Sequence, residues 1–129
     1  MEPTRYRARL TTNVRQNMNL DELVSSIPDA ERENRVQLAH VVDAWKNDES
    51  TVDDLEGRIE KWIGHIWFSS NAVHEQFYQA WNEFKKRGIH GIGGMTMNER
   101  LYWFGLIDSW DSLDADAKTI IYTKLKAKA

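Results

Sequence analysis

Four histidines, His40, His65, His74 and His90, are the groups in this chain best suited to bind a metal or move a proton near neutral pH. None has a glutamate three residues before it, so the glutamate–histidine pair of di-iron bundles is missing. His74-Glu75 starts like a zinc-protease helix, but Tyr78 stands where the second histidine would be needed. Asp111, Asp114 and Asp116 lack the glycine and the closing glutamate of a calcium loop. With no cysteine, thiol catalysis, disulfides and cysteine-ligated metals are excluded. No Gly-x-Ser-x-Gly turn presents a serine nucleophile, and most serines stand at expected helix starts, where capping explains them. Asp108, His65 and His74 remain as candidates for an acid–base site. No cofactor motif is present and none is expected.

Two anion-binding possibilities follow from other residues. Gly91, Gly93 and Gly94 precede a helix start, where backbone N–H groups attract anions. The spacing fits neither phosphate-loop pattern, no Gly-Lys-Ser/Thr is present, and no strand leads in. Residues 88–94 therefore read as an interhelical turn. Arg5, Arg7, Arg9 and Arg15, with Tyr6 among them, could follow a phosphate backbone and stack a base. The acidic stretch that follows would repel that backbone, which sets nucleic acid behind other partners.

These side chains must be positioned by helices. Asn19 and Glu22 stand at capping-box spacing and open a helix over 20–26. Pro28 suits the first turn of the next, in which Leu38, Val41, Val42 and Trp45 make one apolar stripe. Asn47 to Ser50 break it. Ser50 or Thr51 caps a third helix with Asp53, Asp54 and Glu56 near its positive end. Its stripe is Val52, Leu55, Ile59, Trp62, Ile63 and Ile66. Ser69-Ser70-Asn71 recaps the chain for a fourth helix with Val73, Phe77, Ala80, Trp81 and Phe84, which Gly88 should stop. Thr96 and Glu99 form a second capping box and open a continuous helix over 97–110 with Gly105 in its interior. That helix would be apolar on two sides, Met97, Leu101 and Phe104 on one and Trp103, Leu106, Ile107 and Trp110 on the other. A last helix runs over 113–126. Residues 98–111 resemble a short segment of small bacterial proteins, and that resemblance implies a helix there and no activity.

The expected fold is all-α: a compact bundle of five to six short helices, over 19–129, with an extended basic N-terminal arm over 1–18. The 129 residues suit one domain, and 41% hydrophobic residues suffice for a core. No apolar run reaches the ~18 residues needed to span a membrane. The first residues hold no apolar leader core, so a cytoplasmic location is expected.

Charge and aromatics are unevenly spread. The net charge is −3. Residues 1–18 carry four arginines against one glutamate, whereas residues 19–60 carry twelve acids against four bases. Eleven of the fourteen aromatics fall between Trp62 and Trp110. An acidic first half, surplus aromatics and no catalytic motif point to a non-catalytic protein-binding module. Its sharpest form is an immunity- or antitoxin-type inhibitor that occludes a basic partner such as a nuclease toxin. The expected contact acids are Asp21, Glu22, Asp29, Glu31, Glu33, Asp43, Asp48 and Glu49, and the expected contact aromatics are Phe68, Tyr78 and Trp103. A homodimer would absorb the same aromatic surplus. The alternatives are a small enzyme centred on Asp108 or the histidines, and a nucleic-acid binder working through the arginine arm.

Overall fold

The computed structural model describes residues 18–128. Arg5, Arg7, Arg9 and Arg15, and the arm they belong to, lie outside the described residues. Among the described residues there are seven α-helices and no strand, so the fold is all-α. They are α1 (Leu20–Ser25), α2 (Arg32–Lys46), α3 (Val52–Ile63), α4 (Asn71–Phe84), α5 (Met97–Trp103), α6 (Ile107–Trp110) and α7 (Ala115–Lys124). A 3₁₀ turn, Asp29–Glu31, leads into α2, and a second, Ile92–Gly94, precedes α5.

The caps explain most of the helix starts. Both halves of the Asn19–Glu22 capping box form at 2.9 Å, and the Asn19 amide also donates to the Tyr102 carbonyl on α5. Thr51 with Asp54 and Thr96 with Glu99 open α3 and α5 in the same way. Asp114 accepts from the Ala117 N–H and opens α7. Each cap satisfies backbone N–H groups that the helix itself leaves unpaired and is worth about 1 kcal/mol.

α2 packs on α3, and α1 packs on α2 and α4. Leu38, Val42 and Trp45 of α2 face Val52, Leu55, Ile59 and Trp62 of α3 within one core. A run of rings crosses its centre. Trp45 meets Phe104 at 5.7 Å between centroids, Phe104 meets Phe84 at 5.5 Å, and Phe84 meets Trp81 at 6.0 Å. Each buried ring contributes a few kcal/mol by leaving water, about 25 cal/mol per Å².

Two expected features are corrected. The helix over 97–110 is not continuous. α5 ends at Trp103, and Gly105 adopts φ +72°, the left-handed region where a Cβ is penalised. The Leu106 N–H reaches back to the Leu101 carbonyl at 2.8 Å and the Gly105 N–H to Tyr102 at 3.2 Å, a Schellman stop. No two-sided apolar helix exists, therefore. Leu101, Phe104 and Leu106 are buried, while Ile107 is exposed. The second correction is at Gly88, which does not end the fourth helix. The chain continues as a π-helical segment, Lys85–His90, packed against α3. The Trp103 indole lies directly on Gly88, where any Cβ would overlap it, and stacks on Phe84 at 5.5 Å with planes 7° apart. Glycine is needed there for close approach, and Gly88, Ile89 and Ile92 of the expected interhelical turn are buried.

A buried ammonium ties the last helix to the first half of the chain. Lys124 is fully buried on α7. Its Nζ donates to the carbonyls of Trp45 and Ser50, lies 3.3 Å from the Asp48 carboxylate, and sits over the Trp45 ring at 4.2 Å from the centroid. Burial pushes the Lys124 ammonium below the usual lysine range, and its hydrogen bond to Asp48 acts against that shift. On the Asp48 side burial raises the pKa, but donation from Ser50, Arg58 and Lys124 outweighs it and leaves the carboxyl well below the usual carboxylate range. Replacing Lys124 by alanine removes the donor to both carbonyls and leaves a hole. The expected loss is about 3 kcal/mol in a denaturant melt. Lys126→Ala, which removes only the exposed 2.9 Å pair with Asp53, should cost under about 1 kcal/mol in the same measurement.

Candidate functional site

The turn from α3 to α4 holds the most unusual surface residue of the described chain. α3 ends at Ile63, and Ile66, Trp67 and Phe68 follow in non-helical backbone. Ile66 and Phe68 turn inward and pack on the core, and Trp67 between them is 91% exposed.

Three anchors fix this turn. The carboxylate of Glu31, buried at the mouth of α2, accepts the Ser69 N–H at 2.9 Å and the Ser69 hydroxyl at 2.6 Å. The Asn34 amide donates to the Trp67 carbonyl at 2.8 Å. Ser70 caps α4 by accepting from the Val73 N–H at 3.3 Å. The backbone of Trp67 is thus held from α2 while its indole stands in water. Donation from the Ser69 hydroxyl, aided by the N–H groups of Ser69 and Ser70, holds the Glu31 carboxyl below its ordinary value despite the opposing effect of burial.

Trp67 is itself one wall of a groove of about 300 Å³ between the turn and α4, with His65, Phe68, His74, Phe77 and Tyr78 among the others. Phe68 meets Trp62 edge-on at 6.5 Å and stacks on His74 at 5.7 Å. His74 in turn meets Tyr78 edge-on at 6.3 Å. His65 Nδ1 lies 2.8 Å from the Lys61 carbonyl. A carbonyl only accepts, so Nδ1 carries the proton and Nε2 is the open nitrogen. Among the described residues no carboxylate lines the groove.

The expected site residues separate into groups. His65 and His74 meet at this groove, but Asp108 does not line it and is exposed on α6. His40 is exposed on α2, and His90 pairs with Glu56 at 3.1 Å. Among the described residues no group of three or more metal-ligating side chains is assembled. Phe68 and Tyr78 belong to the groove. Trp103 belongs elsewhere: packed on Phe84 and Gly88, it borders a separate, more open hollow of about 420 Å³ with Tyr102, Met95 and Arg87.

The expected acidic contact face is largely occupied within the chain. Asp21 pairs with Lys46 at 2.6 Å, Asp29 with Arg35 at 2.7 Å and Asp48 with Arg58 at 2.7 Å. Glu22 is spent on the α1 cap. Glu31 is not a surface acid at all, because its two oxygens are needed by Ser69. Glu33, Asp43 and Glu49 are exposed and form no ion pair with a described residue. Trp67 was not expected at the surface. The signal was available: the stripe of the third helix includes Ile66 only if the helix passes Gly64, and it does not.

Comparison with family models, with curated proteins and with solved structures returned no match for this chain.

The anchoring role of Glu31 has a pH signature. Its pKa is lowered on folding, so its contribution to stability is complete above the unfolded value of about 4.5 and is lost as pH falls through the lower folded value. The stability advantage of the natural chain over Glu31→Gln should be full at pH 7 and shrink steadily below pH 4.5, as read by denaturant midpoints across that range. An advantage that does not change with pH contradicts the anchor.

Proposed function

We propose that this chain is a non-catalytic, helical protein-binding module whose contact surface is centred on Trp67 and the groove it borders. The observation that carries this reading is a tryptophan 91% exposed on a backbone pinned by Glu31 and Asn34. An indole left in water has a large area to bury, and a fixed backbone means little ordering is required when a partner arrives. Tryptophan and tyrosine are the residues that most often dominate binding energy, and Tyr78, 45% exposed, stands across the groove.

The reading extends to an inhibitor of the immunity or antitoxin type, which would occlude a basic partner such as a nuclease. In that form the acids that serve are the exposed ones that pair with no described residue. Glu33, adjacent in sequence to the Asn34 that holds Trp67, would steer a basic partner, and Asp43 and Glu49 would add negative charge along and beyond α2. Among the described residues no carboxylate lines the groove to work with His65 and His74, which favours binding over acid–base chemistry.

Tagged natural chain and Trp67→Ala should be compared in parallel pull-downs with quantitative mass spectrometry. The proposal expects one protein recovered in stoichiometric amount and reduced at least about tenfold by the substitution, since a single hot-spot side chain is worth about 2 kcal/mol. Circular dichroism should be unchanged, because Trp67 is not part of the core. A basic recovered protein supports the inhibitor form. Equal recovery by both chains contradicts the reading.

A further inference from the structure

The last helix is attached to the fold differently from the others. α3 buries a full stripe, Val52, Leu55, Ile59 and Trp62. The ten residues of α7 bury only Ile121 and Lys124, with Leu125 just beyond the helix end. Residues 115–120 are exposed or half-buried. The helix pairs that pack closely are α1–α2, α1–α4, α2–α3 and α5–α6, and α7 belongs to none of them.

Polar bonds at the C-terminal end of α7 take the place of a stripe. The Lys124 ammonium reaches the Trp45 and Ser50 carbonyls and the Asp48 carboxylate in the turn between α2 and α3. The Arg100 guanidinium of α5 donates to the carbonyls of Leu125 and Lys126, each at 2.9 Å. Lys126 pairs with Asp53 at 2.9 Å in the open, where such pairs are weak. The Lys124 seat also returns little net energy. Burial lowers the pKa of its ammonium more than Asp48 raises it, so the charged form is favoured less there than in water. Lys126 adds strain. It is the only non-glycine among the described residues in the left-handed region, at φ +58°, a conformation that disfavours any residue with a Cβ. Such a conformation persists only where its surroundings hold it, here through Arg100 and Asp53.

We propose that α7 and residues 125–128 form a strap that opens as a unit by local unfolding while α1 to α4 stay folded, with Lys124 as its latch. Segments with few buried apolar side chains and polar attachments are the ones that open below the free energy of global unfolding. The hinge is the non-helical stretch 111–114 between α6 and α7. The aromatic contact of the strap, Tyr122 edge-on to Trp110 at 5.6 Å, is made to a residue beside that hinge. Opening uncovers the face of the Trp45 ring, over which the Lys124 Nζ lies 4.2 Å from the centroid, and the two carbonyls that Lys124 caps. The opened chain thus presents a face at the α2–α3 turn, far in sequence from Trp67, that the closed chain hides.

Native-state hydrogen exchange of the full chain, followed amide by amide by NMR across low denaturant concentrations, tests this. In the natural chain the amides of residues 119–125 should have protection factors at least about a hundredfold below those of residues 56–62 in α3. Their exchange should also depend less on denaturant, because a local opening exposes less surface than global unfolding. Lys124→Ala strands both carbonyls and should lower protection in α7 by at least a further factor of about ten. In that variant α3 and α4 should still exchange at least about a hundredfold more slowly than α7. Three results would overturn the proposal. One is an α7 that shares the rate and denaturant dependence of α3 in the natural chain. Another is a Lys124→Ala chain that keeps α7 protected as before. The third is a Lys124→Ala chain that loses protection everywhere together, which would make α7 part of the cooperative core.

Discussion

The buried carboxylate of Glu31 is the interaction on which the proposed contact face depends. A carboxylate inside a protein is costly unless its oxygens are occupied by donors. Here the donors come from one place, the Ser69 hydroxyl and the backbone at the mouth of α4. The α4 N-terminus gains a negative charge at its positive end. The turn after α3 gains a fixed attachment to α2. Trp67, two residues before Ser69, cannot turn inward without breaking that attachment or exchanging places with Ile66 and Phe68. Its exposure follows from the way the backbone is tied.

Lys124 plays the matching part at the other end of the fold. It joins α7 to the turn between α2 and α3 through two carbonyls and Asp48. Both buried charges therefore act on connections, where backbone groups lack helical partners. The apolar core supplies the bulk of the driving force, and these two side chains determine which turns lie against which helices. The same division appears at Trp103 and Gly88, where a ring and a missing Cβ set the path of the π-helical segment.

Helix identity was legible in the sequence because it rests on local signals. Asn19 with Glu22, Thr96 with Glu99, and the stripe from Val52 to Trp62 name their elements by spacing alone, and all of them form. The faults lie where local signals compete. Gly105 reads from its neighbours as a tolerated interior glycine, and the Leu106-to-Leu101 bond shows that it is a helix stop. Gly88 reads as a stop, and only the indole of a residue fifteen positions later shows why it is a contact point instead. The candidate site was half legible. Phe68 and Tyr78 stand out in the sequence, but residues 66–68 lie beyond the end of α3, where helical spacing says nothing about which side chain faces water, and Trp67 is among them. The acids were in view as a group. Which of them are engaged depends on partners such as Lys46, Arg35 and Arg58, which lie six to twenty-five positions away in sequence.

The central claim is that Trp67 is held outward by an ordered backbone. ¹⁵N relaxation of the free full-length chain measures this directly. If Glu31 and Asn34 anchor the turn, the amides of residues 65–69 have order parameters near ~0.85, like those of α3 and α4, while the Trp67 indole N–H exchanges freely with water. Order parameters below ~0.6 in that turn, beside rigid helices, would show a loose loop and contradict the account.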